Sequence, residues 1–141
     1  MTFLDLKGRK KTLKRATKYL VDWEKSTRSK FQDAVKEFLF SYWKRDMMFE
    51  EFPVVGSRMK FDFYNASKRV VVESVGRQHM EFVPHFQKTR MNFLGQVKRD
   101  LDKQAFCDLN GITLVEISEK DFYKKTRLEL EQFFLANGVH L

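Results

Sequence analysis

Three consecutive valines ending in an acid, Val70-Val71-Val72-Glu73, constrain this chain more than any other feature. A short unbroken apolar run between turn residues belongs to a strand covered on both faces. The residues before it, Asn65-Ala66-Ser67, are turn chemistry, and Gly76 follows it. A carboxylate at the end of such a strand costs several kcal/mol unless it is paired or bound to a cation. Glu73 is therefore expected to have a partner.

The neighbouring segments extend this strand into a sheet. Met59, Phe61 and Phe63 alternate with Lys60, Asp62 and Tyr64, so Met59–Tyr64 and Arg69–Val75 are expected to form an antiparallel hairpin. Phe49 to Val54 reads as a further strand, closed by Pro53, Gly56 and Ser57. Helical spacing returns from about Asn92 to Leu109, with Phe93, Val97, Leu101, Ala105 and Leu109 expected on one face. Asn110-Gly111 should cap that helix, and Ile112–Ile117 reads as another buried strand. Asp121 to Ala136 is expected to be one last helix. Toward the N-terminus, Leu13, Ala16, Tyr19, Leu20 and Trp23 predict a helix from about Lys10 to Lys25. Ser29 should cap a second helix, with Phe31, Val35, Phe38, Leu39 and Tyr42 as its buried stripe.

The expected order is α-α-β-β-β-α-β-α. The fold class is α/β (α+β), a mixed central β-sheet with an antiparallel hairpin and a β-α-β crossover, flanked by helices. A chain of 141 residues suits one domain. The division expected is a basic helical extension over residues 1–28 and a core over 29–141.

Asp62 and Glu73 fall on adjacent strands of the hairpin. Two converging carboxylates repel, and a hard divalent cation removes that repulsion. Magnesium takes one or two carboxylates plus water and phosphate oxygens, and a metal so held can polarise a scissile phosphate and activate a water. The blander reading has Asp62 facing solvent and Glu73 paired with an arginine such as Arg69.

Charge points to the partner. The net charge is +8, and Lys7, Arg9, Lys10, Lys11, Lys14, Arg15, Lys18, Lys25, Arg28 and Lys30 crowd the first 30 residues. Such an excess suits a polyanion such as double-stranded DNA, although a solvated helix face would look the same. No apolar run reaches the roughly 18 residues of a membrane span, and MTFLDLKGRKK lacks a secretory h-region. A cytoplasmic setting with no membrane partner is expected. The lone Cys107 excludes an intramolecular disulfide and reads as packing. Met47, Met48, Met59, Met80 and Met91 read as core filling.

Three segments together, Glu73-Ser74-Val75-Gly76-Arg77-Gln78-His79, Arg99-Asp100-Leu101-Asp102-Lys103 and Asn110-Gly111-Ile112-Thr113-Leu114-Val115-Glu116-Ile117, carry a resemblance. From about Ser29 to Ile117 the chain resembles the PD-(D/E)XK nucleases, in the branch near very-short-patch repair endonucleases and phage homing endonucleases. The resemblance implies a restriction-endonuclease-like core and a Mg2+-dependent endodeoxyribonuclease, with Mn2+ able to substitute. It implies Asp62, Glu73 and the backbone carbonyl of Ser74 as metal ligands, with Gln32 or, more weakly, Glu37 where relatives place a helical Glu. The usual Lys two positions after the Glu is Val75 here. Lys103 would supply the missing cation, Gln78 would orient a water or phosphate oxygen, and His79 would contact phosphate or act as an acid. Lys10, Lys11, Lys14, Arg15, Arg58, Arg77, Lys98 and Arg99 are the expected DNA contacts, with Tyr123, Lys124, Lys125 and Arg127 as further backbone contacts.

Structural readings stand beside these. His79 beside a turn, an Arg99–Asp100 surface ion pair and Glu116 on the last strand are each accounted for by packing or solvation. His85 sits in a loop and is given no chemistry. A double-strand break would need a homodimer or higher homo-oligomer, and a nickase only a monomer. The other function classes are a catalytically weak or inactive DNA-binding module on a nuclease fold, for which Val75 speaks, and a structured-RNA binder or nuclease. The resemblance places the protein in a prokaryotic or phage-infected cell.

Overall fold

The computed structural model describes residues 1–76 and 90–141, with the backbone alone for residues 90–92. In chain order it contains β1 (Thr2–Leu4), β2 (Lys10–Thr12), a 3-10 turn (Ala16–Tyr19), α1 (Lys30–Trp43), β3 (Met48–Pro53), β4 (Lys60–Asn65) and β5 (Val70–Val75). Then come α2 (Arg90–Leu109), β6 (Thr113–Ser118), α3 (Glu119–Lys124) and α4 (Arg127–Ala136). The main sheet has the order β3-β4-β5-β6. Its first two pairings are antiparallel, and β5 runs parallel to β6 through the α2 crossover. The mixed sheet flanked by helices is the arrangement expected from the sequence.

The valine run explains why β5 is central. Val70 and Val72 join a core with Phe31, Val35, Phe38 and Leu39 of α1 and Leu130 and Phe134 of α4. Val71 points the other way, into a core with Phe3, Phe52, Phe61 and Tyr64 and with Phe106 and Cys107 of α2. Each buried valine contributes about 1.5–3 kcal/mol, and a polar residue at any of the three would face an apolar layer.

Local chemistry sets several boundaries. The Ser29 side chain accepts from the Gln32 N–H at 3.0 Å and starts α1. Asn110-Gly111 ends α2, with Gly111 at φ +65. Arg69 caps the same corner by donating to the carbonyls of Asn110 and Gly111. Lys36, buried, donates to Glu50 and to the Lys25 carbonyl, tying α1 to β3.

Three expectations are corrected. No α-helix spans Lys10 to Lys25; residues 1–28 form an antiparallel β1–β2 hairpin and the 3-10 turn. Leu13, Ala16 and Tyr19 do pack inward, but on the Phe3 core and without an α-helix. Leu20 then bridges to Phe49, alongside the edge strand β3.

The apolar face expected for α2 is also wrong. Val97, Leu101 and Leu109 are exposed, and Phe106 and Cys107 carry the packing. A strict four-residue repeat drifts by roughly 40° per step, so five such residues never share one face. Finally, the single helix expected over Asp121 to Ala136 is two. Lys125 is extended, and Thr126 restarts the helix with a reciprocal capping box to Glu129.

Cys107 and Met48 are buried and Met59 is half-buried, as core filling requires, whereas Met47 is exposed. Met80 lies outside the described residues, as does the side chain of Met91.

Candidate active site

The site forms where the ladder between β4 and β5 stops. Their register pairs Asn65, Tyr64 and Phe63 with Val70, Val71 and Val72 and goes no further. Beyond it, backbone donors turn to carboxylates. The Asp62 N–H donates to Glu73 Oε2 at 2.8 Å, and the Ser74 N–H and hydroxyl donate to Asp62 Oδ2 at 2.9 and 2.7 Å. Asp62 and Glu73 are thus clasped to each other's strands, the two residues only 7% and 8% exposed. The solvent-facing reading of Asp62 does not hold.

The second oxygen of each carboxylate meets a cation. Glu73 Oε1 lies 2.5 Å from Lys103 Nζ, and Asp62 Oδ1 lies 3.4 Å from an Arg28 guanidinium nitrogen. Glu73 therefore has its partner in Lys103 and not in Arg69. Burial above all, then the Asp62 carboxylate, pushes the Glu73 carboxyl up to about 8, while Lys103 pulls it down. Burial pushes the nearby Cys107 thiol up to about 12, so it carries no nucleophile.

A cavity of about 890 Å³ opens over this pair. Gln32, Glu51, Asp62, Glu73, Ser74 and Lys103 line its floor, and Arg28, Lys30, Arg58, Lys60 and Arg99 stand around it. Gln32, one of the expected residues, is buried, and its amide donates to Glu51 Oε1 at 3.2 Å.

Glu51 is the residue that sequence reading missed. It sits in the middle of β3 with φ +50, a left-handed conformation rare for a non-glycine residue. The β3–β4 register skips from Glu50↔Phe63 to Phe52↔Phe61 around it. The consequence is that Glu50 and Glu51, consecutive in sequence, both reach α1. Glu50 pairs with Lys36, and Glu51 accepts from Gln32 and, at 3.2 Å, from Arg28. Arg28 thereby joins Glu51 to Asp62. Alternation in the sequence gives no sign of this kink; only the Phe49/Phe52 spacing of three, both in one core, hints at it.

Other expected residues scatter. Arg58 and Arg99 line the cavity, and so do Asp100 and Glu116, which packing alone was expected to explain. Burial, then Asp100, raises the Glu116 carboxyl. Lys98 faces out and pairs with Asp102 at 2.9 Å. Lys10, Lys11, Lys14 and Arg15 are exposed on and after the N-terminal hairpin. Arg127 stacks over Phe38 and Tyr42, a packing role that competes with DNA contact. Val75 is buried and leaves the usual Lys position without a cation. Glu37 lines a separate cavity with Trp23 and Phe40. Arg77, Gln78, His79 and His85 lie outside the described residues.

The donor set suits a hard divalent cation. Asp62 and Glu73 each offer one oxygen toward a position now neutralised by a side-chain cation, and their other oxygens are fixed by N–H donors. Among the described residues no three His, Cys, Asp or Glu side chains gather into a closed ligand cage. Two carboxylates with the remaining positions open to water and phosphate is the pattern magnesium favours.

Comparison with known proteins gives relatives without an assigned role. A stretch of 59 residues, 42% of the chain, is 37% identical to "Uncharacterized protein 307L" of Invertebrate iridescent virus 6 and covers 30% of that protein. Another of 66 residues, 46% of the chain, is 38% identical to "Uncharacterized protein 094L" of Frog virus 3 and covers 43% of it. A third of 65 residues is 31% identical to "Uncharacterized protein 033L" of Invertebrate iridescent virus 3 and covers 34% of it. The chain thus spans less than half the length of these curated relatives. They come from viruses of invertebrates and frogs and lend no support to a prokaryotic or phage host. No family model and no solved structure matches the chain. No helix among the described residues is long and apolar enough to cross a membrane.

Proposed function

We propose that this chain is a magnesium-dependent endonuclease that hydrolyses phosphodiester bonds in duplex DNA, on a restriction-endonuclease-like core of the PD-(D/E)XK type. The observation that carries the reading is the clasped pair Asp62 and Glu73 with Lys103 against it, on the floor of a cavity ringed by arginines and lysines. Such expensive burial of two acids has a use where a cation and a phosphate meet.

Asp62 Oδ1, Glu73 Oε1 and the Ser74 carbonyl are the groups that would hold Mg2+ or Mn2+. The bound cation would polarise the phosphate and make water acidic enough to attack at neutral pH. Arg28 and Arg58, which line the cavity, would bind the non-reacting phosphate oxygens. Lys103, arriving from α2, takes the part that Val75 cannot and orients the water beside Glu73. Hydrolysis adds water across one P–O bond, with a proton passing to the leaving oxygen. One site per chain cuts one strand, so a monomer nicks and a homodimer breaks both strands.

Val75 favours a second reading, a DNA-binding module with weak or no cleavage. Supercoiled plasmid and a mixed DNA library, each incubated with Mg2+, Mn2+ or EDTA, separate the two. Cleavage that needs metal and disappears in Glu73→Ala supports the nuclease. DNA binding without cleavage under any metal supports the module.

A further inference from the structure

We infer that the N-terminal hairpin is a rigid β-ribbon that lies in the major groove of duplex DNA and sets where the backbone meets the Asp62/Glu73 cavity. This rests on the duplex-DNA part of the reading above and does not require cleavage.

Charge is the first observation. Between Leu6 and Val21 the chain has seven lysines and arginines and no acid. All seven are exposed. Apart from Arg9, which reaches Asp5 at 3.4 Å, none has a carboxylate partner among the described residues. Such cations release counterions when they meet phosphates, which is the main source of affinity for nucleic acid.

Rigidity is the second. A basic tail would pay an ordering cost on binding, and this segment is already ordered. Phe3 is buried against Phe52 and Phe106, with ring centroids 5.8 Å away in each case. The Asn110 side chain grips Leu4 at both ends, accepting from its N–H at 2.7 Å and donating to its carbonyl at 2.9 Å. Asp5, also buried, closes the turn by accepting from the Lys7 and Arg9 N–H groups at 2.9 Å each.

Position is the third. Gly56 sits at φ +86, and a Cβ there would stand 3.0 Å from the Asp5 Cβ, so the hairpin turn rests directly on the β3–β4 turn. Two and four residues further along, Arg58 and Lys60 line the cavity. The cations of the hairpin therefore join the rim of the site through the close approach of the Asp5 side chain to Gly56.

Shape selects the ligand. A two-stranded ribbon fits the major groove of B-form DNA, about 12 Å wide, whereas the deep, narrow major groove of A-form RNA does not admit one. On the face away from buried Phe3, the ribbon carries the paired hydroxyls of Thr2 and Thr12, 3.2 Å apart, and Lys10 opposite half-buried Leu4. Two hydroxyls and a lysine around one half-buried leucine suit base edges and phosphates better than they suit lipid.

The test is fluorescence anisotropy of the full chain on a short DNA duplex in EDTA, over a range of salt, so that cleavage plays no part. Lys10→Ala/Lys11→Ala should reduce the slope of log affinity against log salt by about 2. Lys44→Ala/Arg45→Ala removes the same charge from the end of α1, on the other side of the sheet, and should leave the slope unchanged. Wild type at saturation should protect guanine N7 from dimethyl sulfate, and the hairpin variant should not. Equal slopes for the two variants, no N7 protection by wild type, or equally tight binding to an RNA duplex of the same sequence or to anionic vesicles would each overturn the proposal. Loss of cleavage with hairpin-dependent binding intact would instead count against the nuclease reading alone.

Discussion

The two ends of the β4–β5 pair are built from the same strands and do opposite things. At one end Phe63, Tyr64 and Asn65 pair with Val72, Val71 and Val70 in a closed ladder, fully buried between two apolar layers. At the other end the ladder opens, and the N–H groups of Asp62 and Ser74 go to carboxylates. The closed end returns stability for every residue it buries. The open end holds two acids close together under conditions that favour a proton or a cation on one of them. A site of this kind is carried by the strands beside it, and mutations should separate the two tasks.

The largest effect is expected from Asp62→Asn. It keeps the shape of the clasp and removes one charge, so metal-dependent cleavage should fall by about 1,000-fold or more, roughly 4 kcal/mol of barrier. Urea unfolding should change little. A matching loss of stability would mean that the open end is structural after all. Phe63→Ala is the converse experiment. It empties a fully buried ring position at the closed end and should cost about 3–5 kcal/mol of stability, with cleavage per folded molecule retained.

Lys103→Met should lower cleavage by about 100-fold. Because Lys103 pulls the Glu73 carboxyl down, its loss should also move the alkaline shift of the pH–rate profile further up. If Glu73 holds the cation, a proton on Glu73 competes with it. Divalent affinity should therefore rise about tenfold per pH unit up to about 8 and level off above it. Calorimetric titration with Mn2+ from pH 6 upward reads this directly, and a flat profile would show that Glu73 does not hold the metal. The smallest effect is that of Ser29→Ala, which removes the α1 cap and should cost about 1 kcal/mol in thermal unfolding.

Much of the closed end could be read from sequence, because its rules are local. A valine run, strand alternation, a Ser29 cap and an Asn-Gly stop each act within a few residues, and each is found where expected. The acids Asp62 and Glu73 are legible for the same reason, whereas Lys103, which meets Glu73 from 30 residues away, is suggested only by the family resemblance. What was not legible depends on distant partners. Glu51 holds a left-handed conformation where Gln32 of α1 and Arg28, just before the Ser29 cap, both meet its carboxylate. The N-terminal segment has helix-like spacing, yet Phe3 and the Asn110 side chain draw it into a hairpin. In α2, the exposed leucines mimic a buried stripe while Phe106, Cys107 and Lys103 face inward.

Whether Asp62 and Glu73 together hold a divalent cation is decided by electron paramagnetic resonance of Mn2+ titrated into the protein. Saturable binding of Mn2+ by wild type, displaced by Mg2+ and lost in both Asp62→Asn and Glu73→Gln, is the predicted result. Absence of bound Mn2+ in the wild type, or binding that survives both substitutions, would contradict it.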